Sequence, residues 1–407
     1  MENAATRGQR GALAAIAAMV SGSVPHAVLL VGPASSGKTT LALDLAAGLL
    51  CSHPDRGARP CRQCRGCRLV ASGNHPDLHR LAPAGPGLQV RIGGATDPEP
   101  GTVRHLIGEL ALLPLEGGAR IAIVEAAHRM NEDSQNALLK MLEEPPPGVT
   151  IVLCADDEEC LLPTVRSRCV RVRLGPVAGR DIERWLGELG AADAHSAARF
   201  ARLAAGCPGL ALAYARAPDA ARLRGEISRG LLDMLLAGRH ERLTSVRALT
   251  ASAAALEAAL NEGRDRASAT GEAVGGANAR ARTPRRKAAA ATGPKDEGAE
   301  GEPDEGAESV APKVSATDRR AAASALIGIW ASVARDLAVA GLGGRRALHD
   351  PELLDELAAV APTLPAGSLP AFLTRLAEIE SAVDQNVNPE LALDVLAVAW
   401  PRSGRAA

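Results

Sequence analysis

Residues Gly32 to Thr39 read GPASSGKT, set between the apolar run His26 to Val31 (HAVLLV) and a stretch of strong helix formers from Thr39 to Leu50. Strand, glycine loop and helix in that order are the signature of a phosphate-binding loop. Gly32 and Gly37 let the backbone wrap a phosphate chain with its N–H groups inward. Lys38 then reaches the β and γ phosphates, and Thr39, with Thr40 beside it, brings hydroxyl groups to the magnesium ion of ATP. Two more apolar strands are expected at Arg120 to Val124 (RIAIV) and Thr150 to Cys154 (TIVLC), separated by a helix from Asp133 to Glu144. Pro145 to Pro147 end that helix, because proline cannot continue its hydrogen-bond ladder. Strands alternating with helices predict the α/β class, with a parallel sheet covered on both faces.

Hydrolysis needs more than the loop. A neighbouring strand end must hold magnesium and orient or deprotonate water. Here RIAIV is followed by Glu125 and Ala126. Glu125 is a candidate to help hold the metal, or else an ordinary solvated carboxylate. Ala126 can do nothing to water, and a missing general base costs on the order of 10²- to 10⁴-fold in rate.

Cys51, Cys61, Cys64 and Cys67 form C-x9-C-x2-C-x2-C just after the loop's helix. Two CxxC steps sharing a cysteine, with a fourth nearby, suit tetrahedral thiolate coordination of structural Zn²⁺. His53 is a spare donor, and an iron–sulfur cluster or free thiols are the rival readings. The cysteines at 154, 160, 169 and 207 lack ligand spacing and are expected to be small buried residues. Ser167-Arg168-Cys169 places a guanidinium after the Thr150 to Cys154 strand, where its planar fork suits a γ phosphate held by a neighbouring chain. The bland alternative is an arginine that ties local structure together.

The 407 residues allow two or three domains, and the formal charge of −1 supplies no global field for nucleic acid. Aromatic residues make up 1%, which weighs against a stacking surface for single strands. No uninterrupted apolar run approaches the roughly 18 residues of a membrane span, and MENAATRGQR lacks a secretory pattern, so a cytoplasmic chain without a membrane partner is expected. After Gly175 the pattern is helical: 180 to 190, 193 to 205, 209 to 216, then longer stretches from 219 to 260. Residues 261 to 315 are poor in large apolar groups, with basic and acidic blocks, and are expected to form a disordered insertion. Helical pattern resumes at Thr317 and runs to Trp400.

Taken together, VPHAVLLVGPASSGKTT, the four-cysteine insertion, HPDLHRL (75 to 81), RIAIVEAAHRMNEDSQNALLKMLEEPPP and LPTVRSRC resemble the AAA+ subunits of the bacterial DNA polymerase III clamp loader. The resemblance is strong over residues 10 to 175 and loose beyond, including NPELALDVL (388 to 396). It implies an AAA+ domain (1 to 174) with an inserted zinc module (51 to 67), a small helical lid (175 to 216) and a helical oligomerisation collar (217 to 407). Implied partners are the tau/gamma and delta subunits and, through the complex, the sliding clamp and primer-template DNA. The family's catalytic tau/gamma subunit has an Asp-Glu pair where this chain has Glu125-Ala126, and a nucleotide-sensing arginine where this chain has Gly206-Cys207-Pro208-Gly209-Leu210. Both departures point to the delta-prime type, a stator that lends its SRC arginine, here Arg168, to a neighbour's ATP. The intact loop departs from many delta-prime chains and leaves ATP binding without hydrolysis open. The rivals are the tau/gamma ATPase, a zinc-bearing nucleic-acid module on an inactive scaffold, and a small-molecule kinase, for which no acceptor signature is present.

Overall fold

The computed structural model describes residues 1, 3–84, 89–116, 118–269, 316–384 and 387–404. Five strands form one sheet: β1 (Ala27–Val31), β2 (Leu78–Leu81), β3 (Arg120–Val124), β4 (Val149–Ala155) and β5 (Val170–Arg173). Their order is β2-β3-β4-β1-β5, and every pairing is parallel. Strand side chains alternate between the two faces. Val28, Leu30, Ile121, Ile123, Val152 and Cys154 meet α1 (Arg10–Ser21) and α2 (Lys38–Leu49). Ala27, Leu29, Ala122, Val124, Ile151 and Leu153 meet α4 (Val103–Leu110) and α5 (Glu132–Glu143), while α3 (Arg65–Ala71) closes the cysteine insertion.

The three strands read from the sequence are the central ones, buried on both faces and therefore continuously apolar. β2 and β5 escaped that reading. They are four-residue edge strands, and on β5 only Val172 is buried, so neither carries an apolar run. β5 follows the short helix α6 (Pro163–Arg166), which is entered through Pro163, after the corner Ser167-Arg168-Cys169.

Beyond β5 the chain is helical. α7 (Gly179–Glu188), α8 (Ala194–Leu203) and α9 (Pro208–Arg216) share a small core around Ile182, Leu186 and Leu212. α10 (Pro218–Asp233), α11 (Arg239–Ala269), α12 (Ala316–Gly341), α13 (Leu354–Val360), α14 (Ser368–Asp384) and α15 (Pro389–Ala399) build a second, larger core. Its centre gathers Trp330, Phe372 and Trp400, with the Phe372 and Trp400 ring centroids 4.6 Å apart, and Trp400 Nε1 donates to the Leu231 carbonyl at 2.9 Å. α12 is apolar and long enough to cross a bilayer, yet Leu326, Ile327, Trp330 and Leu337 are fully buried in this core, as in the central helix of a helical bundle.

Residues 261–269 differ from the expected insertion: they are the last turns of α11. Gly263 packs against α9, where a Cβ would stand 2.4 Å from the Ala213 carbonyl, and Ala267 is buried in the small core that α7, α8 and α9 share. Tertiary contact thus extends a helix through a stretch whose composition alone argued against order. Residues 270 to 315 of that expected insertion lie outside the described residues.

Candidate functional site: a phosphate loop and a four-cysteine cluster

The carboxyl ends of parallel strands are where such sheets hold ligands, and the loop Gly32 to Gly37 leaves β1 there. Gly37 caps α2 with φ of 100°, a conformation that strains any side chain. Gly32 is needed for a different reason: a Cβ there would sit 2.4 Å from the Leu174 carbonyl. Thr39 and Thr40 lie half-buried in the first turn of α2. The helical part closes down on the loop, because the Gly209 N–H at the start of α9 donates to the Ser35 carbonyl at 3.1 Å.

Lys38 is buried, and its ammonium turns back into its own loop. Nζ donates to the carbonyls of Gly32 and Pro33, each at 2.7 Å, and lies 2.7 Å from Asp156 Oδ1. Asp156 follows β4 directly. Pairing of Val31 with Ala155 and of the Gly32 N–H with the Ala155 carbonyl brings it beside the loop.

Glu125 follows β3, and Arg80 of β2 holds it: Nε and Nη2 reach its Oε1 at 2.9 and 2.6 Å. Burial raises its carboxyl above the ordinary range, with Arg80 opposing the shift. The sequence offered Glu125 as a magnesium-holding candidate or a solvated carboxylate, and the structure places it in a partly buried ion pair with both side chains under a quarter exposed. Ala126 adopts a left-handed conformation, φ 52°, and begins the turn Ala127–Arg129.

Arg168 sits at the corner between α6 and β5. Its Nη1 donates to the Thr164 carbonyl at 2.8 Å, and Nη2 lies 2.6 Å from Glu143 at the end of α5. The side chain keeps 33% of its surface exposed. Within this single chain the guanidinium is folded back onto its own sheet domain.

The four cysteine sulfurs converge, all within 4.8 Å of one another, with Cys51 and Cys64 Sγ 3.8 Å apart. A tetrahedron of Zn–S bonds about 2.3 Å long spaces its sulfurs about 3.8 Å apart, so this donor set fits such an ion. Backbone N–H groups point at the sulfurs: those of His53 and Cys61 at Cys51, that of Cys64 at Cys61, and that of Cys67 at Cys64. Burial raises the Cys64 thiol, but the Cys67 and Ser52 hydrogen bonds outweigh it and bring the thiol down to about 5. Cys61 is also lowered, chiefly by the Cys64 N–H, whereas burial raises Cys51 and Cys67. His53 is not part of the cluster; its Nδ1 faces the Asp55 carbonyl at 3.1 Å. Of the other cysteines, Cys154 is buried and Cys169 and Cys207 are half-buried, but Cys160 is exposed in the loop before α6, contrary to the expectation of burial.

Sequence reading missed the partners of these groups. Asp44 of α2 is fully buried, accepts from the Ala5 and Thr6 N–H groups and the Thr6 hydroxyl, and pairs with Arg62 of the cysteine insertion. Arg80, His128 and Asp156 likewise went unread. Asp156 alone carried a signal, standing at the carboxyl end of a predicted strand.

Residues 10–178 match the family model described as DNA polymerase III, delta subunit. DNA polymerase III subunit delta' of Pseudomonas aeruginosa is 40% identical over 36% of this chain and 42% of its own length. The subunit delta' of Escherichia coli is 34% identical over 49% of this chain and 57% of its own, and that of Bacillus subtilis 35% identical over 39% and 44%. The chain thus spans about half the length of the curated relatives it matches. Tau/gamma-type relatives also match, as with subunit tau/gamma of Haemophilus influenzae at 33% identity over 37% of this chain and 20% of that protein. Inside the matched span lie a parallel sheet, a glycine loop of the phosphate-binding type and a four-cysteine insertion, and over residues 10–178 this chain is similar to the DNA polymerase III delta' subunits.

Proposed function

We propose that this chain is the delta-prime, stator-type subunit of a bacterial clamp loader, helping an ATP-driven assembly open a sliding clamp and place it on primer-template DNA in the cytoplasm. The observation that carries this reading is the end of β3. Glu125 is engaged by Arg80, and Ala126 offers water no base, beneath a loop that keeps Gly32, Gly37, Lys38, Thr39 and Thr40. Such a site can hold a nucleotide while turning it over very slowly. Cys51, Cys61, Cys64 and Cys67 would hold a structural Zn²⁺, since four thiolates leave no open position for chemistry. α10 to α15 would form the oligomerisation collar that seats the chain beside tau/gamma and delta subunits, with α7 to α9 as the lid between collar and sheet.

Arg168 is the proposed contribution to catalysis at another subunit. On the exposed corner between α6 and β5 it is held by a carboxylate and a carbonyl, both of which a γ phosphate can replace with a stronger charge-assisted fork. The test is reconstitution with tau/gamma, delta and a sliding clamp. The chain should enter the complex and support loading while hydrolysing negligible ATP alone. Rapid turnover by the purified chain would instead identify a tau/gamma-type ATPase, and failure to assemble would refute the clamp-loader role.

A further inference from the structure

The ammonium of Lys38 has three protons, and three acceptors take them: the Gly32 and Pro33 carbonyls and Asp156 Oδ1, each at 2.7 Å. Nothing is left over for a phosphate. The carboxylate is itself positioned. The Asp156 N–H donates to His128 Nδ1 at 3.1 Å, which leaves the proton of the neutral ring on Nε2, 3.6 Å from Asp156 Oδ2. Glu125, at the end of β3, is committed to Arg80.

We propose that Asp156 is an internal competitor for nucleotide phosphate, so that its carboxylate sets how tightly this loop takes a nucleoside triphosphate. The proposal rests on the nucleotide reading given above and names the residue that regulates it. An incoming triphosphate must displace the carboxylate from Lys38 and then lie beside its negative charge. The Lys38 side chain is 8% exposed and that of Asp156 39%, so the carboxylate is the partner with solvent to move into. Displacement costs the ion pair, while a neutral side chain at 156 would remove both the pair and the repulsion.

The experiment compares the full-length chain with Asp156→Asn and Asp156→Ser by calorimetric titration with ATP, once with Mg²⁺ and once with a chelator. Neither substitution removes the backbone N–H that meets His128. A second readout needs no nucleotide: amine labelling followed by peptide mass spectrometry, with Lys140 as internal reference, since the five lysines at 38, 140, 287, 295 and 313 are well separated. We expect ATP affinity to rise about tenfold in both variants, with or without the metal, as loss of a partly buried pair plus a nearby like charge implies. Lys38 labelling should rise relative to Lys140. Equal affinity in all three proteins overturns the competition while the nucleotide reading stands. Weaker binding confined to the Mg²⁺ titration also overturns it, by making Asp156 a metal-holding group. No binding by any of the three defeats the nucleotide reading and the competition together, and unchanged Lys38 labelling refutes the pairing itself.

Discussion

Replacing Arg62 by Ala should loosen the N-terminal segment while leaving the cysteine cluster intact. Arg62 lies between Cys61 and Cys64, and its guanidinium reaches out of the insertion to Asp44 of the phosphate-loop helix and, through Nε, to the Asn3 carbonyl at 2.9 Å. Asp44 is fully buried, and its remaining donors are the Ala5 and Thr6 N–H groups at 2.9 Å and the Thr6 hydroxyl at 2.7 Å. Removing one partner of a buried pair costs about 3–5 kcal/mol. Here the arginine side chain is 23% exposed and three donors stay on the carboxylate, so water and those donors recover part of the loss. About 2 kcal/mol should remain. At about 2–4 °C per kcal/mol for a domain of this size, Tm should fall by about 4–8 °C. Calorimetry, hydrogen exchange at residues 3 to 9 and metal analysis form the assay, with faster exchange expected at Ala5 and Thr6 and full metal content. An unchanged Tm with those amides still protected would refute the reasoning, and so would loss of metal as the primary event.

Cys64→Ala should abolish stoichiometric Zn²⁺ binding, measured as about one ion per chain in the parent, while far-UV dichroism shows the sheet retained; a parent chain that holds iron or no metal would remove the zinc proposal. Arg168→Ala should cut DNA-stimulated hydrolysis and clamp loading in the reconstituted complex, by up to about 10³-fold at the one site it serves, with assembly and Tm unchanged. Arg168→Lys should rescue poorly, because an ammonium lacks the bidentate fork, and normal loading by Arg168→Ala would end the trans-acting role. Asp77 supplies a pH dependence. Burial would raise its carboxyl, but the Leu115 and Glu116 N–H groups and Arg120 outweigh that and hold it below 3.8. A depressed folded pKa stabilises the fold above the unfolded value and loses that contribution as pH falls through the folded one. Acid unfolding should therefore steepen below about pH 4, and Asp77→Asn should be less stable at pH 7 and flatten that limb; an Asn variant with the parent's acid profile would count against Asp77 as its source.

The phosphate loop, the four-cysteine spacing, the alanine after Glu125 and the three central strands were all legible in the sequence, because each depends on neighbours a few residues away. A glycine that must take positive φ, a CxxC step and an apolar run buried on both faces declare themselves locally. The edge strands did not, since only one side of each is paired and their charged residues break the pattern. Nor did the last turns of α11, whose order comes from packing against α9 and not from composition. What each charged group does was decided by the sheet. Arg80 meets Glu125 because β2 lies beside β3 with Leu81 opposite Val124. Asp156 meets Lys38 because β4 lies beside β1 with Ala155 opposite Val31. Strand order and register join residues far apart in the chain, and side-chain periodicity carries no information about which strand will be the neighbour. The sequence by itself thus determined a phosphate-loop motif and an alanine after Glu125, and the tertiary structure decided that Lys38 is already paired with Asp156.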